Sequence, residues 1–155
     1  NGTVFSKVVQ RYFEKININI NLSLDSLTKE IYESIRVNSN FELVTGNLMK
    51  FRDLCKKYDR NMCIMTNPMR MNWHELPNFV RYANERDVHL WFNTIQRPLH
   101  VALWNLPKPE IEKIYDFLKN QTFEYDENNK WHRGNVWDYF QFVDRQIKTW
   151  RDQSG

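Results

Sequence analysis

The side chains best suited to chemistry lie on one face of a predicted strand. Over residues 16–25, apolar and polar residues alternate without interruption. Successive side chains of a strand point to opposite faces, so this segment has one apolar face and one hydrogen-bonding face. The polar positions are Asn17, Asn19, Asn21, Ser23 and Asp25. Because Asn is a poor strand former, this row of small polar groups is better suited to contact a ligand than to face water alone.

Similar polar residues follow two further predicted strands. Residues 62–65 are a short apolar run typical of a strand covered on both faces, and residues 88–92 form a third strand. In parallel α/β folds, ligands bind at the carboxyl ends of the strands. The polar residues at the three strand ends are Ser23, Asp25 and Ser26, then Thr66 and Asn67, then Asn93 and Thr94. They predict one binding site, although turn chemistry alone also favours Asn and Ser where loops begin.

Helices are predicted around these strands. Apolar residues recur at helical spacing over residues 4–15, 27–36 and 41–58, and Ser39 with Glu42 is typical of a capping box before the third helix. Asn72 and Glu75 are expected to cap another helix, and Pro109 lies at the start of the next. Strands alternating with helices predict an α/β fold, with about three parallel strands flanked by helices.

The last part of the chain has a different pattern. Residues 121–135 are polar and are interpreted as a linker, and a helix with a narrow apolar stripe is predicted from residue 136. Large rings lie in or beside that stripe, at Trp131, Trp137, Tyr139 and Trp150. We therefore expect residues 1–120 to form the main domain and residues 121–155 to form a helical extension. The extension either docks on the outside of the domain or binds a partner.

Composition excludes several classes of protein. The chain has 155 residues, of which 41% are hydrophobic, and a net charge of +3 that is too small to argue for nucleic acid. No apolar run approaches the roughly 18 residues of a membrane span, and no signal peptide is visible. Four glycines are too dispersed for a phosphate-binding loop, and the four histidines lack metal-ligand spacing. Cys55 and Cys63 are expected to be buried free thiols in a cytoplasmic protein.

Four segments, in this order and spacing, carry a resemblance to a known family. They are INLSLDSLTKEIYESIR (20–36), FELVTGNLMKFRDLCKK (41–57), NPMRMNWHELPNFVRYANERDV (67–88) and FNTIQRP (92–98). Together they resemble the second half of the barrel domain of radical S-adenosylmethionine enzymes. The resemblance implies a partial (β/α)₆ barrel whose lumen holds a [4Fe–4S] cluster and S-adenosylmethionine. These oxidoreductases cleave the cofactor to a radical that abstracts hydrogen from a substrate.

This sequence departs from the family at the cluster. The family holds its cluster through a C-x₃-C-x₂-C motif, which is absent here, and Cys55 and Cys63 cannot replace it. The chain is therefore expected to bind no cluster and to be inactive alone. It is interpreted as a piece of a longer enzyme or as a cluster-free relative.

The resemblance also implies roles for individual residues. Ser23 and Asp25 match the contact region for the ribose and methionine parts of the cofactor. Arg36 matches an arginine that approaches the methionine carboxylate, which a guanidinium can bind through two hydrogen bonds. A helix-end arginine favoured by the helix dipole is the alternative. By position, Thr66 and Asn67 lie at the next strand end, and Asn93 and Thr94 lie where the family touches adenine.

Two functions from different classes remain open. One is the cofactor-binding half of a radical S-adenosylmethionine oxidoreductase. The other is a non-catalytic half-barrel that binds a protein partner through its aromatic C-terminal helix. The first strand is predicted to be an exposed edge, which favours pairing with the missing N-terminal half of the barrel or with a second copy. The alternative is that the first helix covers this edge. Neither nucleic acid nor a membrane is expected as a partner.

Overall fold

The computed structural model describes residues 2–154 and contains a three-stranded parallel sheet in the order β1-β2-β3. The strands are β1 (Ile20–Ser23), β2 (Met62–Thr66) and β3 (His89–Phe92). The helices are α1 (Lys7–Lys15), α2 (Lys29–Ile35), α3 (Phe41–Lys57), α4 (Leu76–Asn84), α5 (Lys108–Lys119), α6 (Lys130–Gln141) and α7 (Lys148–Gln153). Short 3₁₀ turns span Trp73–Glu75, Leu99–Val101 and Leu103–Asn105, and a π-helical segment, Phe142–Ile147, joins α6 to α7. The prediction of an α/β fold with three parallel strands flanked by helices is confirmed.

The two faces of the sheet differ in their burial. Leu22, Ile64 and Leu90 lie on one face, are fully buried and pack in the hydrophobic core with the helices. The opposite face, which we call the open face, carries Asn21, Ser23, Cys63, Met65, His89 and Trp91, all half-buried or exposed. Parallel sheets are usually covered on both faces. Within residues 2–154, the helices bury one face of this sheet and leave the side chains of the open face half-buried or exposed.

The two edges of the sheet also differ. Among the described residues, β1 pairs with β2 alone. The outer edge of β3 is covered by α6, through the fully buried Asn135. The Asn135 Oδ1 atom accepts a hydrogen bond from the Leu90 N–H at 2.8 Å, and its Nδ2 donates to the Val88 carbonyl at 2.9 Å. Asn135 thus takes the place of a neighbouring strand, and β1 keeps the free edge.

The start of the described chain lies beside β1. The Gly2 carbonyl accepts a hydrogen bond from Asn47 Nδ2 at 2.9 Å. Gly2 has φ +73°, and a Cβ added to it would lie 2.7 Å from Leu22 Cδ1. Only glycine fits this position without strain, because the backbone is left-handed and closely packed. Helix α1 follows and packs against α3, with Phe13 in the core.

Strand β1 is shorter than the alternation predicts. The register pairs Ile20 with Met62, the first residue of β2. Residues 16–19 precede that pair and are not part of the strand, because β2 has no residues opposite them. Side-chain alternation alone therefore overestimated the length of the strand, by residues 16–19 at its start and by residues 24–25 at its end.

Helix α3 begins at Phe41, as predicted, but its capping residue differs from the predicted one, and α6 begins earlier than predicted. The cap of α3 is Asn40, whose Oδ1 accepts from the Leu43 N–H at 2.7 Å, and not Ser39. Helix α6 begins at Lys130, earlier than residue 136, because the Asn129 side chain accepts from the first backbone N–H groups of the helix. At α6, the Asn cap overrides the apolar pattern, and at α3 it replaces the predicted Ser cap.

The C-terminal helices share the hydrophobic core of the preceding residues. The rings of Tyr139, Phe142 and Trp150 are buried, whereas Trp137 is 62% exposed. Most of the aromatic side chains of the predicted partner-binding helix are therefore buried in the core of this chain. None of the described helices is long and apolar enough to cross a membrane.

Candidate functional site

A buried carboxylate joins three elements at the carboxyl end of the sheet. Asp25 follows β1 and is 3% exposed. Its Oδ2 accepts from Arg36 Nε at 2.7 Å and lies 2.6 Å from a second guanidinium nitrogen. Its Oδ1 accepts from the backbone N–H of Asn67 at 3.0 Å and from Asn67 Nδ2 at 2.8 Å. Both oxygens are thus bonded, and Asp25 holds the end of α2 against the start of the loop after β2.

Arg36 has a partner that the sequence did not reveal. Two nitrogens of its guanidinium contact one oxygen, Asp25 Oδ2, in a charge-assisted pair that is stronger than a neutral hydrogen bond. The Arg36 side chain is 27% exposed and also lines a cavity of about 190 Å³ with Thr3 and Tyr32. One side of the guanidinium therefore stabilises Asp25, while the residue remains accessible from that cavity. The predicted contact with a ligand carboxylate stays a prediction.

Asn72 fixes the backbone around Asp25. This fully buried side chain donates from Nδ2 to the Asp25 carbonyl at 2.5 Å and to the Asn67 carbonyl at 3.0 Å. Its Oδ1 accepts from the Met69 N–H at 2.6 Å. We expected Asn72 to cap a helix, but its side chain instead joins the ends of β1 and β2.

Glu75 anchors the loop between β1 and α2. It is 5% exposed and lies at the start of α4. Its Oε2 accepts from Ser26 Oγ at 2.6 Å and from the Leu27 N–H at 3.2 Å, and its Oε1 accepts from Thr28 Oγ1 at 2.5 Å. Glu75 was also expected to cap a helix. No local sequence pattern indicates that Glu75 bonds the loop after β1, because its partners lie 47 to 49 positions away in the chain.

The remaining predicted site residues lie in two different environments. Ser23 is half-buried on the open face, and Asn93 and Thr94 are half-buried after β3. Thr94 lines a cavity of about 480 Å³ together with Trp104. Thr66, by contrast, is fully buried on the covered side of β2, and its Oγ1 has no hydrogen-bond partner among the described residues.

The structure therefore brings part of the predicted set together. Asp25, Arg36 and Asn67 form one hydrogen-bonded cluster. Asn93 is joined to β2 by its backbone N–H, which donates to the Thr66 carbonyl at 2.9 Å. The half-buried polar residues Ser23, Asn67 and Asn93 thus lie together at the carboxyl ends of the three strands. This is the arrangement expected of a ligand site in a parallel sheet.

A second polar group lies on the open face near the start of β3, and sequence reasoning missed it. His89 Nε2 is 2.9 Å from Asp138 Oδ2, and the His89 ring stacks on Trp131 at a centroid distance of 5.7 Å. Cys63 is the partner of His89 in the strand register. Burial, and after it the negative charge of Asp138, raises the pKa of the Cys63 thiol to about 11. Because the thiol stays protonated at neutral pH, Cys63 is not a nucleophile activated by His89 and Asp138.

The described residues do not offer a set of ligands for an iron–sulfur cluster. Over residues 2–154, no group of three or more His, Cys, Asp or Glu side chains could hold a metal ion. Cys55 lies in α3 and Cys63 in β2, so neither belongs to a cysteine loop at the carboxyl end of the sheet. A cluster therefore does not fit the residues of this chain.

Comparisons with protein-family models, with curated proteins and with solved structures found no match. The function is inferred from the residues and geometry of the chain itself.

Proposed function

We propose that this chain is the C-terminal half of a radical S-adenosylmethionine oxidoreductase barrel and supplies strand ends that bind the cofactor. The observation that carries the proposal is the open face. It is one side of a parallel sheet, and the polar residues at the carboxyl ends of its strands lie close together. In a closed barrel, such a face lines the interior and the strand ends form the site.

The side chains of the open face form two rows across the three strands. Asn21, Cys63 and His89 are in register, and Ser23, Met65 and Trp91 are in register one step nearer the site. Trp91 is 47% exposed, which is a high fraction for a tryptophan in a parallel sheet. We propose that the missing N-terminal half of the barrel covers this face and completes the interior layers.

The free edge defines where that half would attach. Because Asn135 covers β3, further strands can pair only with β1. Gly2 already lies beside Leu22 of β1, where the preceding strand of a barrel would end. A homodimer through this same edge stays a prediction for the isolated chain, and a constant mass near 19.0 kDa in light scattering would contradict it.

The strand ends provide groups that suit S-adenosylmethionine. The Ser23 hydroxyl and the side chains of Asn67, Asn93 and Thr94 are half-buried and uncharged, which suits ribose hydroxyls and adenine. Arg36 suits the methionine carboxylate, whereas the fully bonded Asp25 acts by positioning Arg36 and Asn67. Together with a cluster, the cofactor supplies hydrogen-abstracting radical chemistry. This chain's residues bind and orient it.

The iron–sulfur cluster would be held by a segment outside this chain. The alternative is a non-catalytic half-barrel, for which the exposed Trp137 is the one aromatic ring of the described C-terminal stripe left for a partner. A C-x₃-C-x₂-C motif in the parent protein, upstream of this sequence, distinguishes the two. Its presence supports the enzyme, and its absence supports the interaction domain.

The proposed binding role is tested in the parent protein reconstituted with its cluster. Ser23→Ala removes a hydroxyl from the end of β1 and should weaken S-adenosylmethionine binding about three- to tenfold, as expected for one lost hydrogen bond. Ser34→Ala is the matched control, because this exposed serine on α2 bonds only within its own helix. Equal affinities of the two variants, measured by equilibrium dialysis, would remove Ser23 from the site.

A further inference from the structure

A separate cavity lies at the amino end of the sheet, opposite the strand-end site. Its volume is about 230 Å³, and it is formed by the end of α3, the starts of β2 and β3, and the start of α6. Its charged lining residues are Arg52, Lys56, Asp59, Arg60, Asp87 and Lys130. Four cations thus face two carboxylates, in a protein whose overall charge is only +3.

Several of these charges are already paired. Asp87 lies 3.1 Å from Lys56 Nζ and accepts from Asn129 Nδ2 at 2.7 Å. Arg52 pairs at 2.7 Å with Asp53, which lies outside the cavity lining. In the part of the chain that the structure describes, Arg60 and Lys130 have no carboxylate partner. Asp59, the other carboxylate of the lining, also has no cation partner among the described residues. The unpaired groups of the cavity are therefore two cations and one carboxylate, which leaves a net charge of +1.

Arg60 also has a hydrogen-bond donor without an acceptor. One of its terminal nitrogens donates to the Asp59 carbonyl at 3.3 Å. Its Nε is buried and, within residues 2–154, has no partner. A buried donor without an acceptor costs free energy, and a native protein that keeps one calls for an explanation. Because Nε is closed to solvent in this conformation, an oxygen-rich anion would supply the acceptor when the guanidinium turns toward the cavity.

We propose that this cavity binds the phosphate group of a small molecule through Arg60 and Lys130. A guanidinium presents a planar fork of donors that matches phosphate oxygens, and the Lys130 ammonium adds a mobile charge. Trp131 lines the same cavity, and the Lys130 ammonium lies 4.5 Å from the centre of its ring, so Trp131 helps to hold Lys130 at the cavity. The small volume of the cavity and the small number of free cations suit a small phosphate compound better than a nucleic acid backbone. This site is independent of the proposed cofactor site.

The proposal is tested by titrating the chain with inorganic phosphate and with pyrophosphate at constant ionic strength, followed by amide chemical shifts in NMR spectra. Saturable binding with shifts at Arg60, Asn61 and Lys130 is expected. Arg60→Gln should weaken binding about tenfold or more, as for a lost charge-assisted pair. Lys130→Gln removes an exposed cation that the fold does not need and should weaken binding about threefold.

Lys113→Gln is the control, because it makes the same change of charge on an exposed lysine of α5 outside the cavity. Its affinity should stay within about twofold of the unmodified chain, since distant exposed charges are largely screened. Absence of saturable binding, or equal weakening by Lys113→Gln and Lys130→Gln, would overturn the proposal. Tighter binding of a single-stranded oligonucleotide than of pyrophosphate, with the same dependence on Lys130, would overturn the assignment to a small molecule.

Discussion

Replacing Arg36 with alanine is expected to lower the free energy of unfolding by about 3–5 kcal/mol. Asp25 is 3% exposed, and Arg36 is the only cation paired with it among the described residues. Without the guanidinium, the carboxylate stays buried with the neutral donors of Asn67 alone. Removing one partner of a buried ion pair is costly because the other charge is left uncompensated. Urea unfolding followed by circular dichroism measures the loss.

Two controls separate this effect from a general loss of charge. Arg70→Ala removes a pair with Glu110 in which the two side chains are 51% and 48% exposed, and it should cost less than about 1 kcal/mol. Adding Asp25→Asn to Arg36→Ala should recover part of the lost stability, because an amide leaves no buried charge. If Arg36→Ala is no more destabilising than Arg70→Ala, Asp25 does not depend on Arg36.

Asn135→Ala is expected to destabilise the chain by about 2–6 kcal/mol, since it leaves two buried backbone groups without partners at about 1–3 kcal/mol each. These are the N–H of Leu90 and the carbonyl of Val88, at the outer edge of β3. The same change removes a 3.0 Å hydrogen bond to Asn84 Oδ1. Thermal unfolding gives the stability, and hydrogen exchange at Leu90 reports on the edge directly.

The matched control for this change is Asn120→Ala. Asn120 is exposed and donates to the Asp116 carbonyl within its own helix end, so its loss should alter stability by no more than about 0.5 kcal/mol. In Asn135→Ala, the Leu90 amide should exchange faster, whereas amides in α1 should be unaffected. A Leu90 amide that stays as protected as before would show that another group covers β3.

Local patterns were sufficient to predict the architecture. The strict alternation before Asp25 and the apolar runs at β2 and β3 predicted three strands, and the helical periodicity between them predicted a parallel sheet. The structure confirms that fold. The polar residues that follow the strands also lie close together, because the carboxyl ends of parallel strands are all on the same side of the sheet.

The hydrogen-bonded partners within the site could not be predicted in the same way. Asp25 meets Asn67 and Glu75 meets Ser26 only after β1 is paired with β2 and α4 has packed, so no local pattern encodes these contacts. Asn135 shows the same limit, since it is the last residue of the predicted polar linker and nothing in that segment indicates that it will cover a strand edge. Thr66 was chosen for its position at a strand end, and its burial depends on which side of β2 it lies.

The central claim is that this chain is the C-terminal half of a radical S-adenosylmethionine barrel. It is tested most directly by reconstituting the longer parent protein and this chain side by side, without oxygen, with iron and sulfide. We expect four irons per parent protein, an electron paramagnetic resonance signal of a reduced [4Fe–4S] cluster that changes when S-adenosylmethionine is added, and no cluster in this chain alone. A parent that takes up no cluster, or a cluster whose signal ignores S-adenosylmethionine, would contradict the claim.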